Sequence, residues 1–513
     1  MKKRTKVLSI FLTLTLILAT MLPLAASAAG NASITVNGPS GLVLNANDFS
    51  AYKLFDVEVS GTGANKSFKY TPVAGLNGFL AAYPAYGANA EAFQQALAAN
   101  TIDMYDLTRD LRAYFTSGGI AATQINGTSV KFNNLDYGYY LVAGKGQSDG
   151  VDVIAHCSLV TVDEQDADVT ISLKADAPEI EKEVWNHNLD DGNGDWTDWT
   201  DINMGYNAEF KLTSKVPDMT GYKSYTYIVH DRMSKGLSFN NDVEVIVGGS
   251  PFTDFTVTVS PIPTNDPDAQ YAGGTYIKIE FDPNVFVTLA KDVPIEIFYS
   301  AELNENAIIG APGNPNKVRL EYSNNPYDED DTGDTPWDEV IVYTFDLEIF
   351  KYTGTLGGDD EYPLAGAEFE LRDSNGNVMS FIKINDGEYR LATSEDNVQN
   401  IVKKVISNEN GQIHIDGLDA GEYDLEETKA PVGYNMIPGF ITKIRITHDD
   451  QEGAYTVYAD ESETNVVNTL NNKGSKLPET GGIGRTIFYA LGAILMFGAG
   501  AALFIRRRKT VNK

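Results

Sequence analysis

Two sets of three polar residues fall in line with apolar ones on strand-like segments, and each set could form a covalent amide bond. Residues two apart in a strand share a face. In Ile180-Glu181-Lys182-Glu183-Val184 this places Lys182 beside Ile180 and Val184, turned inward, with both glutamates on the other side. Asn316 lies in line with Val318, Leu320 and Tyr322, and Asp231 with Tyr225, Tyr227 and Val229. Asn324 shares the face of Asn316 and is the alternative acceptor. Further along, Phe345, Leu347 and Ile349 lead to Lys351, Tyr423 and Leu425 lead to Glu427, and Val466 leads to Asn468. Polar groups on an apolar face are costly unless paired.

Burial withdraws the charge from a lysine and keeps the proton on a carboxylic acid. A neutral amine beside an Asn carboxamide, with a protonated acid polarising the carbonyl, can undergo amidation with loss of ammonia. Close packing supplies the effective concentration. The expected products are Lys182–Asn316 and Lys351–Asn468 isopeptide bonds, with Asp231 and Glu427 as the acids. Each bond closes a loop of over a hundred residues. By analogy with disulfides such closure contributes about 5 kcal/mol. The plainer alternative is that Lys182 and Lys351 snorkel at strand edges.

The elements that must hold these groups are short alternating strands broken by Pro, Gly and Asn turns, which predict a mainly β chain of tandem immunoglobulin-like β-sandwiches. The expected organisation is a signal peptide (1–28), a first unit (29–173), a central sandwich (174–345), a third unit (346–472) and a C-terminal signal (473–513). The first unit carries two expected helices, near Asn89–Asn100 and Met104–Phe115. Its Gly138-x-Tyr140 turn matches Gly421-x-Tyr423 in the third unit. Where the third unit has Glu427 the first has Gly144, so no such bond is expected there.

Both chain ends are processing signals. Met1 to Lys6 is basic, Val7 to about Leu24 is apolar, and Ala26-Ser27-Ala28 is a small-x-small cleavage site, which together form a secretory signal peptide. At the other end stands Leu477-Pro478-Glu479-Thr480-Gly481. Twenty uncharged residues from Thr486 to Ile505 follow, the length of one membrane span, then Arg506-Arg507-Arg508-Lys509. Motif, span and basic stop form a cell-wall sorting signal: the chain pauses in the membrane while an external transpeptidase cleaves. A permanent membrane anchor is the alternative.

The chain has 39 Lys+Arg against 71 Asp+Glu. The two removed ends carry ten of the basic residues and none of the acidic ones, so the mature chain is strongly anionic. That excludes a nucleic-acid binder, which needs a basic face. Cys157 is the only cysteine, so no disulfide can form within the chain, and it is expected to be a small buried hydrophobe. The acidic runs Asn188–Asp195 and Asp328–Asp334 do not fit the EF-hand frame and are expected to be solvated turns, with no metal and no cofactor. Nothing among the motifs supports enzymatic turnover.

The run Gly421-Glu422-Tyr423-Asp424-Leu425-Glu426-Glu427-Thr428-Lys429-Ala430-Pro431-Val432-Gly433-Tyr434 resembles the E-box of collagen-adhesin B-type domains in sortase-assembled Gram-positive backbone pilins. The resemblance implies that Glu427 catalyses isopeptide formation, that Asp231 is the acid and Asn316 the reactive Asn of a pilin-like central domain, and that cleavage falls between Thr480 and Gly481. It also implies a polymerisation lysine before the central domain. The matching stretch is Val169-Thr170-Ile171-Ser172-Leu173-Lys174, where Ser172 and Leu173 replace the family's Tyr and Pro and Gln165 its upstream Trp. Parity turns Val169, Ile171 and Leu173 inward and Lys174 outward.

The implied function is a structural subunit of a covalent surface pilus, joined through Thr480 to Lys174 of the next copy. Its expected partners are sortase transpeptidases, identical subunits and peptidoglycan, with accessory pilins and host surface ligands as further candidates. The competing reading is a monomeric wall-anchored adhesin or an ancillary pilin.

Overall fold

The computed structural model describes residues 32–473, except 62–66, 165, 188–193, 437–438 and 449–451, together with some helical residues between 489 and 499. The expected signal peptide, Leu477–Gly481, most of the apolar run after Thr486 and the basic tail lie outside the described residues, as does most of the first acidic run. Among the described residues no helix is long and apolar enough to cross a membrane. The described chain divides between Thr344 and Phe345 into two compact units. Both are mainly β.

The first compact unit contains two β assemblies. In the N-terminal one, a four-stranded sheet runs in the order Asp168–Ser172, Ala32–Asn37, Ser129–Leu135, Thr123–Asn126. It closes over Gly138–Ala143 and its neighbours around Ile34, Val36, Phe132 and Tyr140. Helices Ala90–Ala98 and Met104–Tyr114 form where expected, capped by Asn89 and Asp103. A third helix, Ala74–Ala82, was not legible in the sequence. Gly75 and Gly78 weaken its propensity, but a side chain at Gly78 would collide with the Tyr114 hydroxyl. Cys157 is buried in this helical cluster, as its apolar character requires.

The central assembly stacks two seven-stranded sheets. One includes Ile180–Asn186, Asn207–Lys215 and Pro294–Leu303, and the other Asn314–Ser323, Tyr227–Met233 and Thr275–Phe281. Alternation along Ile180–Asn186 is strict, with positions 180, 182, 184 and 186 buried. The core between the sheets is aromatic and branched-aliphatic: Phe210, Tyr227, Val229, Ile279, Phe286 and Leu320.

The second compact unit repeats the plan with sheets of seven and six strands. Phe345–Thr353 pairs with Gln412–Leu418 on one side and, in parallel, with Val467–Leu470 on the other. Gly421–Lys429 lies in the opposite sheet between Glu368–Arg372 and Ile441–His448. Gly411, at φ +73°, turns the chain so that its carbonyl receives the Lys351 N–H at 2.7 Å. A side chain there would strike the Lys351 carbonyl, so glycine is required.

Candidate functional site

In the central assembly the strands bring Lys182 across the core to Asp231 and Asn316. Lys182 sits on one sheet and the other two on the facing sheet, and all three are essentially inaccessible to water. Lys182 Nζ donates to Asp231 Oδ2 at 2.5 Å, and Asn316 Nδ2 donates to the Tyr299 hydroxyl at 3.0 Å. Tyr299 in turn donates to Asp231 Oδ2 at 2.5 Å. Burial pushes the Lys182 ammonium pKa down, opposed by Asp231, and pushes the Asp231 carboxyl up, opposed by Lys182. Both directions favour the uncharged pair. The remaining carboxyl oxygen, Asp231 Oδ1, and the Asn316 carbonyl Oδ1 are buried acceptors with no donor. A proton on Asp231 would turn one of these unmet acceptors into a donor.

Asn324, the alternative acceptor, is not at this site. Its amide donates to the Asp152 carbonyl at 3.0 Å, which ties the central assembly to the N-terminal one.

The second compact unit has a matching group with one residue changed. Lys351 is fully buried on Phe345–Thr353, and its Nζ donates to Glu427 Oε2 at 3.2 Å. Burial again lowers the lysine pKa, with Glu427 opposing. The amide reaching this carboxylate belongs to Asn471, whose Nδ2 donates to Glu427 Oε2 at 3.0 Å. Asn468 is exposed, and its amide donates to the nearby Val466 carbonyl at 2.9 Å. The expected acceptor is therefore corrected from Asn468 to Asn471. Parallel pairing sets Ile349 against Val467 and Lys351 against Thr469, so the inward row is 467, 469, 471. The expected row began at Val466, and a one-residue slip exchanges the faces of every side chain.

Lys174 is exposed at the end of an alternating stretch in which Val169 and Ile171 are half-buried and Thr170 and Ser172 are exposed. Its carbonyl accepts the His156 N–H at 2.9 Å, which fixes the backbone while the side chain faces water. Just beyond it, Asp176 to Glu181 line one wall of a groove of about 900 Å3, with Thr213 to Pro217 on another.

Two site residues escaped the sequence reading. Asn471 stands after a strand whose two adjacent valines, 466 and 467, leave the parity ambiguous. Tyr299 lies in line with Ile295 and Ile297, so alternation does place its hydroxyl in the core. It reads there as an ordinary aromatic.

The Asp328–Asp334 run turns only in its first part; contrary to the expected turn, Thr332–Asp334 is a short strand paired with Glu321–Ser323, and Asp334 pairs with Arg319 at 2.7 Å. On the outer face of the second unit His414 donates to Glu348 at 2.8 Å and Asp416 at 2.7 Å. These carboxylates, Asp416 foremost, raise its pKa from 6.5 to about 9. A raised folded-state pKa stabilises fully below the unfolded value and is lost as pH climbs through the folded one. The unfolding midpoint of this unit is therefore expected to fall between pH 6.5 and about 9. In His414→Gln that component of the fall should disappear. An unchanged pH profile in the variant would refute the assignment.

Three family models match successive parts of the chain. Residues 204–326 match the Gram-positive pilin backbone subunit 2, Cna-B-like domain, and residues 356–462 a prealbumin-like fold domain. Residues 469–512 match the LPXTG cell wall anchor motif. Over these spans the chain matches Gram-positive backbone pilin domains followed by their wall-anchor motif. It is a surface protein attached covalently to the cell wall. The chain is 25% identical over 392 residues to the trypsin-resistant surface T6 protein of Streptococcus pyogenes serotype M6, covering 66% of this chain and 70% of that one. Among solved structures it is similar to the T6 backbone pilin of S. pyogenes, at 18% identity and TM-score 0.49 over 88% of this chain and 95% of that one. It is also similar to the full-length major pilin SpaD from Corynebacterium diphtheriae, at 19% identity and TM-score 0.48 over 87% and 98%.

Proposed function

We propose that this pilin is the shaft-forming subunit of a covalent pilus, each copy stapled internally by Lys182–Asn316 and Lys351–Asn471 isopeptide bonds. Sortase would cleave after Thr480 and transfer its acyl group to Lys174 of the next copy, with the last copy passed to peptidoglycan. The observation carrying this reading is that, in each of two sandwiches, a buried lysine, an acid and an Asn carboxamide converge from facing sheets.

Each bond forms by attack of the lysine amine on the Asn Cγ and expels the amide nitrogen as ammonia. No oxidant is consumed and no proton is gained or lost overall. A chain with a single cysteine can form no disulfide within itself. Reduction cannot open such a bond. The relative named for trypsin resistance fits the same physical picture, because a stapled sandwich opens less often to a protease.

An acyl-enzyme needs an exposed amine as acceptor; the exposed side chain of Lys174, two residues before the groove-lining Asp176, supports this reading. Cell-wall extracts boiled in detergent and blotted for this protein should show a ladder of multimers. A single monomer band would instead favour the wall-anchored adhesin.

A further inference from the structure

We propose that Tyr299 is a catalytic residue of the central crosslink, relaying a proton from Asp231 to the departing amide nitrogen of Asn316. The inference rests on the isopeptide reading above and extends it. Tyr299 lies on Pro294–Leu303, opposite Phe210, in the same sheet as Lys182. Its ring stacks on Phe210 at 5.3 Å and is met edge-on by Phe239 at 5.9 Å, which fixes the hydroxyl.

That hydroxyl touches all three reacting groups. It accepts from Asn316 Nδ2 at 3.0 Å, donates to Asp231 Oδ2 at 2.5 Å and accepts from Lys182 Nζ. One donated and two accepted hydrogen bonds use the full capacity of a phenol. Burial and the neighbouring Asp231 hold its pKa well above the ordinary tyrosine value, so the O–H proton is present.

The second site shows why a relay is needed in the first. Glu427 contacts the Lys351 amine and the Asn471 amide with the same oxygen, Oε2. Asp231 is one methylene shorter, and its Oδ2 meets the Lys182 amine while the Asn316 amide bonds to Tyr299 instead. The phenol hydroxyl supplies the missing reach.

The step balances. The Lys182 Nζ lone pair attacks Asn316 Cγ, forming the C–N bond and pushing the carbonyl pair onto Oδ1. In the tetrahedral adduct Nδ2 gains a lone pair, so the Tyr299 O–H turns from Asp231 onto it and gives up its proton, while the protonated Asp231 carboxyl donates a replacement to the phenol oxygen. The carbonyl re-forms, the Cγ–Nδ2 bond breaks and ammonia leaves. The proton shed by Nζ returns to Asp231, and Tyr299 and Asp231 end as they began.

Tyr299→Phe keeps the ring and removes only the relay. In a time course of intact mass on the secreted chain, wild type should lose about 34 Da, two ammonia molecules as covalent changes. Tyr299→Phe should lose about 17 Da promptly from the second unit, with the central loss slowed about 100-fold, the low end for a general acid–base group. Peptide mapping of the Lys182–Asn316 pair assigns the slow step. Asn316→Ala, which lacks the acceptor, marks the uncrosslinked limit. If Tyr299→Phe completes both losses at the wild-type rate, the relay is wrong. If wild type itself loses no ammonia, the crosslink reading beneath it fails instead.

Discussion

Asn471→Ala is expected to retain the ammonia that wild type sheds in the second compact unit, leaving the chain about 17 Da heavier, relative to its own sequence mass, than crosslinked wild type. Asn471 is 4% exposed and its amide is held by Glu427 Oε2 and by the Asn435 carbonyl, so among the described residues it is the carboxamide bonded to the carboxylate that Lys351 meets. The bond would close the loop from 351 to 471. Its loss should lower stability by about 5 kcal/mol on the loop-closure argument. For a unit of this size that is on the order of 20 °C in the unfolding midpoint. The variant also leaves Lys351 and Glu427 facing each other in the core, an ion pair whose desolvation is no longer offset by the covalent bond. Asn468→Ala is the control. Its exposed amide reaches only the Val466 carbonyl, so both mass and midpoint should stay close to wild type, within about 0.5 kcal/mol. Reversed outcomes for the two variants would restore Asn468 as the acceptor.

The second large effect is on assembly. Lys174→Ala should collapse the ladder of detergent-resistant multimers to monomer, with the monomer still exported and still attached to the wall. An amide between subunits needs a nucleophilic amine that sortase can reach, and among the described residues several amines are withdrawn from that role. Lys182 and Lys351 are buried. Lys145 and Lys317 are engaged by Asp152 and Asp268. Lys174 is exposed, and its backbone is anchored by the His156 N–H, which presents the amine from a defined position. Lys174→Arg is the sharper test. It keeps the positive charge but removes the amine, since a guanidinium stays protonated. Ladders that persist in both variants would place the acceptor elsewhere.

Alternation along the chain was enough to turn Lys182, Asp231, Asn316 and Lys351 inward and Lys174 outward, because a strand has only two faces and each run carried apolar markers. It also supported a mainly β architecture and two of the helices, whose caps at Asn89 and Asp103 are local signals. Alternation has no purchase where the markers are adjacent. At Val466-Val467 either parity is allowed, and the parallel pairing of Val467–Leu470 with Phe345–Thr353 decided it. The helix Ala74–Ala82 was hidden for a similar reason: its glycines lower local propensity, and the packing of Tyr114 and Phe115 that favours them comes from another helix.

What the sequence determined by itself is the set of residue types and the direction each faces, together with the wall-anchor motif near its C-terminal end, because these are local properties of a few neighbouring residues. What only the tertiary structure decided is which groups meet. That Asn471 and not Asn468 faces Lys351, and that the Tyr299 hydroxyl stands between Asp231 and Asn316, depends on register and on the stacking of two sheets. Such distances are set by strands far apart in the chain, and no short window of residues contains them.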